Sequence, residues 1–457
     1  MQTKKSARTS LHMKNKLRRH AGHKHADGLS CVLRIILVMC AFAPALYAQE
    51  FAHTWAWCGG LTDRGATIVA GVTSNELARV IVQAEKVPAQ ARSFENRADA
   101  DGVVRFAVSG LLPATPYTYR VTQNPTSSIS GRFTTLPAPG KAASFRIAFG
   151  CCNNNPTSII FRAIAHQNPL LFLHVGDFHY SNIGDNKTRS FRTAILKQVA
   201  GVNQGDLYRS IGIAYMWDDH DFGPNNSNWE NPSRVAAHQV YRQLVPHYPL
   251  ALTDESPERA APIAQAFTIG RVRFVLSDLR SEHSREPGSL MGQRQREWFL
   301  KELMNSAKSH GLIVWVSSVP WISEQGGDNW AGGRQERKII ANFVKEHNIP
   351  LCIIAGDAHM LAIDDGSHAD YSDGGGAPIP VFHAAALDQV GRYKGGPYSH
   401  GAKAGGLQFG LLDIADNGKT LRVTVSGRDG SDGLGDTIAI ANQDGDKPLT
   451  YSFELPR

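Results

Sequence analysis

Seven apolar runs, each five to seven residues long, follow one another after residue 143: Phe145 to Phe149, Leu170 to Val175, Ile211 to Trp217, Val272 to Leu276, Leu312 to Val316, Leu351 to Ala355 and Val381 to Ala386. Runs without polar alternation read as strands covered on both faces. Helix-length segments, Ser158 to His166, Arg294 to Ser306 and Glu336 to His347, lie between several of them. Strand alternating with helix predicts a layered α/β domain, which we place over residues 143–457. With 42% hydrophobic and 19% charged residues, the chain has the composition of a globular protein and excludes a disordered or collagen-like one.

Before this domain the pattern changes. Short β-like runs at Ala66 to Val72, Leu77 to Ala84, Val103 to Val108, Tyr117 to Thr122 and Gly131 to Thr135 alternate with polar and glycine turns. The stretch from Gly110 to Val121 resembles the tyrosine corner of fibronectin-type sandwiches, in which a Tyr hydroxyl satisfies backbone groups at the turn between sheets. We therefore expect a β-sandwich over residues 49–137. Leu136 to Ala142, with two prolines and a glycine, reads as a linker.

The formal charge of +7 suggests nucleic-acid binding only until it is located. Residues 1–48 hold nine Lys or Arg against one acid, and the rest holds 39 basic and 40 acidic residues. No nucleic-acid surface is evident in so neutral a body. The basic segment continues into an apolar stretch, Ile35 to Ala43, and ends at Ala45-Leu46-Tyr47-Ala48. That is the layout of a signal peptide over 1–48, and it predicts export to a periplasmic or extracellular location. The stretch is too short to span a bilayer, and no membrane span is expected in the mature chain. Removal of the segment leaves Cys58, Cys151, Cys152 and Cys352, whose spacing fits no zinc-knuckle pattern.

Five of the strand-like runs end in polar clusters: Gly150-Cys151-Cys152-Asn153, Gly176-Asp177-Phe178-His179-Tyr180, Asp218-Asp219-His220-Asp221 with Asn225-Asn226, Asp278-Leu279-Arg280, and Gly356-Asp357-Ala358-His359. Ligands of open α/β sheets bind beyond the carboxyl ends of strands, so these clusters are expected to converge. Ionised carboxylates cannot share a partly buried pocket without compensating positive charge. Metal cations supply it, and oxygen donors joined by a thiolate and imidazoles suit iron, manganese, zinc or calcium better than copper. A pair of such ions activates water and clamps a phosphoryl oxygen, which points to phosphoester hydrolysis.

These clusters, together with Ala148-Phe149 before the cysteines and Asp328-Asn329-Trp330, resemble in order and spacing the alkaline phosphatase D (PhoD-like) metallophosphoesterases, across roughly residues 50 to 390. The resemblance implies a four-layer metallophosphoesterase sandwich behind the N-terminal fibronectin-like β-sandwich. It implies ferric iron held by Cys152, Asp177, Tyr180 and Asp357. One or two calcium or other divalent ions, zinc and manganese included, would sit beside it, with Asp177 bridging and Asp219, Asn226 and His359 contributing. His220 would steady the phosphate or protonate the leaving group, and Arg280 would contact phosphate or brace its loop.

Cys151 stands where the family usually has Ser, Asn153 where Gln is common, and Asp221 where some members have Glu. Alignment on the Ala-Phe strand favours Cys152 over Cys151 as the ligand. Tyr180 reads equally as a core-edge tyrosine, His383 is a weaker metal candidate than His359, and Trp321 and Trp330 either shape a substrate pocket or serve packing. The expected function is hydrolysis of a small-molecule or polymer phosphoester by a metal-activated hydroxide. A catalytically silent carbohydrate-binding or adhesion protein is the alternative from another class. A secreted nuclease ranks last, because the neutral body offers no surface that tracks phosphates.

Overall fold

The computed structural model describes residues 55–456, apart from 125–126, 255, 257–259, 286–287, 385, 436–438 and 446. The signal peptide expected over 1–48 lies outside the described residues. Seven N-terminal strands come first: β1 (Ala56–Gly59), β2 (Ala66–Gly71), β3 (Leu77–Ala84), β4 (Val87–Arg97), β5 (Val103–Val108), β6 (Pro116–Asn124) and β7 (Ser127–Thr134). β3 shows the period of two that a half-buried strand requires: Ala78, Val80, Val82 and Ala84 are buried, while Leu77 and Ile81 face outward. A four-stranded sheet takes the order β4-β3-β6-β7, and β1, β2 and β5 pair separately from it. At the expected corner the Leu112 N–H donates to the Tyr117 hydroxyl at 2.9 Å.

The three strands β1, β2 and β5 do not stop at the expected linker. β1 pairs in parallel with β10 (Gly212–Met216), Gly59 opposite Ile213, so they extend a nine-stranded sheet of order β20-β19-β18-β8-β9-β10-β1-β2-β5. Its other members are β8 (Phe145–Gly150), β9 (Leu171–Val175), β18 (Gln408–Asp416), β19 (Thr420–Asp429) and β20 (Thr450–Pro456). The described residues from 55 onward consequently pack as one unit across the 137–143 segment. A seven-stranded sheet runs β11-β12-β13-β14-β16-β15-β17, built from β11 (Gln265–Ile269), β12 (Val272–Ser277), β13 (Leu312–Ser317), β14 (Leu351–Ala355), β15 (Met360–Asp364), β16 (Val381–His383) and β17 (Ala402–Ala404).

Alternation along the second sheet shows how the layers stack. Phe274, Leu276, Val314, Val316, Ile354 and Phe382 join one core with residues of β8, β9 and β10. Their neighbours Val275, Ile313, Trp315, Ile353 and Val381 join another with Phe299 and Leu303 of one helix and Ile340 and Val344 of a second. In chain order the helices are α1 (Ile160–His166), α2 (Thr188–Val199), α3 (Val202–Ser210), α4 (Asp219–Phe222), α5 (Arg234–Leu244), α6 (Gly292–Ala307) and α7 (Arg334–Glu346), and α6 and α7 cover that second core. On the nine-stranded sheet, Tyr208 of α3 stacks on Trp57 of β1 and touches Phe172 of β9. Both faces of the central strands are thus covered, as their continuous apolar runs require.

β8, β9 and β10 run parallel to one another, as do β12, β13, β14 and β16. The ends of the two sets meet. A Cβ on Gly356, after β14, would lie 2.3 Å from the Val175 carbonyl oxygen at the end of β9 and 2.7 Å from that of Ser318. A Cβ on Gly176 would lie 2.5 Å from the Asp218 Cβ. Only glycine allows strand ends to approach this closely, which explains the glycine before each of Asp177 and Asp357.

Candidate metal centre

At this junction the separated polar clusters come together. Donor atoms lie within 4.8 Å of one another in four overlapping groups: Cys152, Asp177 and His359; Asp177, Asp219 and His220; Asp177, Asp218 and Asp357; and Asp218, Asp219 and Asp328. Asp177 belongs to three of the groups. Tyr180 donates its hydroxyl to Asp177 Oδ2 at 2.8 Å and lies 3.1 Å from His359 Nε2. Asn226 reaches the cluster through its backbone, whose N–H donates to Asp219 Oδ2 at 2.5 Å.

The backbone is bent to produce this convergence. Cys152, Asp177, Asn226 and Asp357 all have φ between 54° and 61°, the left-handed region that non-glycine residues enter at a cost of about 1–3 kcal/mol. Asp221 holds one such bend by accepting the N–H groups of Phe178 and Asp218 at 2.7 and 3.0 Å. Asp388 fixes the loop beyond Cys152 through the N–H groups of Asn154 and Asn155 at 2.8 and 2.6 Å.

The electrostatics call for added positive charge. Burial, then Asp219, Asp218 and the other neighbouring acids, raise the Asp177 carboxyl well above the usual range. Burial raises Asp218 as well, against the opposing pull of Arg280. On Asp219 burial acts in the same direction, but Arg280, His220 and the Asn226 N–H outweigh it and hold that carboxyl low. Among the described residues, Asp177 Oδ1 and Asp218 Oδ2 are buried without any hydrogen-bond donor. Unpartnered buried carboxylate oxygens are costly unless a cation satisfies them. The Tyr180 phenol and the Cys152 thiol are likewise pushed up by burial and adjacent acids. Neither ionises here without a cation, and both are donors that a cation would deprotonate. The residues present fit a metal.

Two basic groups already meet the carboxylates. Arg280, 0% exposed, donates from Nε to Asp218 Oδ1 at 2.6 Å and forks onto both oxygens of Asp328 at 2.7 and 2.9 Å. So engaged, it supports the bracing alternative rather than a phosphate contact. Lys394 places Nζ 2.7 and 2.6 Å from the two oxygens of Asp357.

Sequence reasoning missed Lys394 altogether, and it gave no role to Asp328 or to Asp218, although it placed Asp218 among the converging clusters. Asp218 and Asp328 stood within quoted motifs, whereas Lys394, alone in a glycine-rich loop, carried no signal. His220, expected as an acid, also falls within ligand range of Asp177 and Asp219. Its Nδ1 lies 2.6 Å from Asn182 Oδ1, and its ring lies against that of Tyr180, tilted by 34° with centroids 4.0 Å apart. The Cys151 thiol donates to the Ala384 carbonyl oxygen at 3.1 Å while its sulfur lies 3.1 Å from that of Cys152, and it is Cys152 whose sulfur falls within ligand range of Asp177 and His359. His383 meets Tyr398, and Trp321 and Trp330 are buried against Trp315.

Stripping cations should make stability pH-dependent. Burial raises Asp221 to about 7, and it raises Asp357 to about 6 despite Lys394, both from 3.8. The folded chain then keeps protons that the unfolded chain releases, so the contribution is full below about pH 4 and is lost as pH rises through 6 and 7. The unfolding free energy of chelator-treated protein, from urea titration, should fall between pH 4.5 and 7.5 by more than that of untreated protein, by on the order of 1 kcal/mol or greater.

Packed α/β layers with carboxylates, a thiol and histidines converging at parallel-strand ends define a metallohydrolase-like arrangement. The PhoD-like phosphatase family profile matches residues 147–397, more than half of the sequence, and the chain belongs to that family. It is 25% identical over 312 residues to alkaline phosphatase D of Bacillus subtilis (strain 168), a match covering 56% of this chain and 53% of that protein. The chain thus spans about half the length of that curated relative. Its fold is similar to the structure of PhoD, with TM-score 0.68 and 16% identity over 88% of this chain and 90% of the other. It is also similar to purple acid phosphatase PPD1 from yellow lupin (Lupinus luteus) seeds, with TM-score 0.57 and 14% identity over 88% and 74%. Among the described residues no helix is long and apolar enough to cross a membrane.

Proposed function

We propose that this protein is an exported, metal-dependent hydrolase of phosphomonoesters or phosphodiesters. A signal peptide over 1–48 would precede the β-rich stretch over 49–137, whose β1, β2 and β5 share a sheet with the catalytic domain over 143–457. The observation that carries the reading is the shared cluster around Asp177, with donor-free oxygens on Asp177 and Asp218 inside it. Cys152, Asp177, Tyr180 and Asp357 would hold ferric iron, and Asp177, Asp219, Asn226 and His359 a calcium or another divalent ion. Bound there, the cations supply charge neutralisation for phosphoryl oxygens and acidify water.

The chain's own residues do the rest. Asn182 holds the Nδ1 edge of His220, and Tyr180 supports its face, which leaves Nε2 for the leaving oxygen. Burial lowers the His220 pKa, and the charge of an incoming phosphoryl group offsets that by favouring the protonated ring. Arg280 keeps Asp218 and Asp328 in register, and Asp221 fixes the loop that carries Asp177.

Metal analysis of as-purified protein, with hydrolysis of p-nitrophenyl phosphate and bis-p-nitrophenyl phosphate by the same sample, tests this reading. Bound metal and turnover of at least one substrate are expected, together with a visible absorption band from thiolate or tyrosinate on ferric iron. An active but colourless sample would remove the iron assignment alone. For His220→Ala, turnover of an alkyl phosphate should fall roughly 10²- to 10⁴-fold with metal content retained. p-Nitrophenyl phosphate, whose leaving group needs less help, should lose less. Loss of metal in this variant would instead make His220 a ligand.

A further inference from the structure

Among the described residues, Lys394 joins Arg280 as a second basic side chain that reaches the cluster's carboxylates. Lys394 lies beyond the last strand-end motif, in the segment Gly391-Arg392-Tyr393-Lys394-Gly395-Gly396. That segment is held at defined points. The Arg392 N–H donates to the His359 carbonyl oxygen at 3.0 Å, and the Tyr398 hydroxyl donates to the Lys394 carbonyl oxygen at 2.7 Å. The same hydroxyl lies 3.1 Å from His383 Nε2, which gives this buried histidine a place in the scaffold.

The side chain is oriented as well. Its ammonium contacts both oxygens of Asp357 at 2.7 and 2.6 Å, which takes at most two of its three donors. Among the described residues the third donor has no protein acceptor. The side chain is 28% exposed, against 9% for Asp357 and 0% for Arg280. Arg280 is enclosed and fully engaged, so of the two cationic side chains that meet these carboxylates Lys394 is the one that solvent and solute can reach.

We propose that Lys394 is a phosphate-contacting residue of this site, its third donor taking an oxygen of the substrate phosphoryl group or of inorganic phosphate. The inference rests on the phosphoester-hydrolase reading. Nζ stands one hydrogen bond from Asp357, whose carboxylate shares a donor group with Asp177 and Asp218, so an anion bound over that cluster lies within reach of the ammonium. A lysine is suited to the task as a compact charge with rotatable donors. The ion pair with Asp357 fixes its direction beforehand, which reduces the ordering cost on binding.

The test compares wild type, Lys394→Met and Lys394→Arg, each as purified with its metals. Calorimetric titration with inorganic phosphate, metal content, and KM and kcat for p-nitrophenyl phosphate are measured on the same preparations. In Lys394→Met, the dissociation constant for phosphate and KM should both rise on the order of ten- to a hundredfold with metal content unchanged, as loss of a charge-assisted hydrogen bond requires. Lys394→Arg should recover most of the affinity. Unchanged phosphate affinity with metals in place overturns the assignment. So does loss of metal in step with loss of affinity, which would make Lys394 a prop for Asp357. Should Lys394→Met not fold, Lys394→Gln carries the same readouts. A wild-type protein without metal or turnover refutes the hydrolase reading itself, whereas an active wild type with an indifferent Lys394→Met refutes only the role of Lys394.

Discussion

Asp177→Asn is expected to abolish hydrolysis and strip metal, while leaving the metal-free chain at least as stable as wild type. The two effects have opposite signs because they act on different states. With cations bound, Asp177 would be the shared ligand, and an amide in its place removes the negative charge and half of the oxygen donors. Turnover should fall by at least about 10³-fold, since activation of the nucleophile and neutralisation of phosphate depend on the same ions. Without cations the position is a liability. Asp177 is buried beside Asp218, Asp219, Asp221 and Asp357, its Oδ1 lacks a donor, and its backbone is left-handed. Asparagine tolerates that backbone and carries no charge to repel, so chelator-treated Asp177→Asn should gain about 1–2 kcal/mol against urea. Metal content, turnover and the two urea curves, with and without chelator, check the whole pattern. Full activity in the variant, or a large loss of stability in its metal-free form, would remove Asp177 from the centre of the site.

The site was legible to the extent that it sits at strand ends. The runs at Phe145, Leu170, Ile211, Val272, Leu312 and Leu351 became β8, β9, β10, β12, β13 and β14, and parallel order carried their trailing residues to one place. Elements whose patterns depend on distant partners were harder to see. β18, which the apolar-run pattern did not pick out, contains the charged residues Asp413 and Asp416. In the fold Asp413 faces Arg146 across the ladder, and Asp416 binds Arg271 at 2.7 Å. β1 spans only Ala56–Gly59 and owes its place to pairing with β2 and β10. α2, α3 and α5, absent from the sequence reading, have mixed compositions in which tertiary contact decides the structure. Lys394 shows the same limit at the level of chemistry, because a lone lysine among glycines gains meaning only when the chain returns it to Asp357.

Arg280→Ala should be the most destabilising single change at this site, costing roughly 3–5 kcal/mol in urea unfolding of the metal-free chain. The guanidinium is 0% exposed and holds Asp218 by one hydrogen bond and Asp328 by two, with Asp219 4.0 Å away. Deleting it leaves buried carboxylates without their nearest positive charge, which is far more costly than losing an exposed ion pair. Lysine should not repair the damage, since a single ammonium cannot fork onto Asp328 while also reaching Asp218. Arg280→Lys should therefore remain destabilised by about 2 kcal/mol or more. The same experiment separates bracing from phosphate recognition. A residue that contacts phosphate would leave the unliganded chain's stability near wild type and show its loss in KM. A brace lowers stability before any substrate is present, and added metal should recover part of the loss by supplying charge to Asp218 and Asp219. Wild-type unfolding in Arg280→Ala would mean that these carboxylates are not the interdependent unit on which the metal-centre assignment is built.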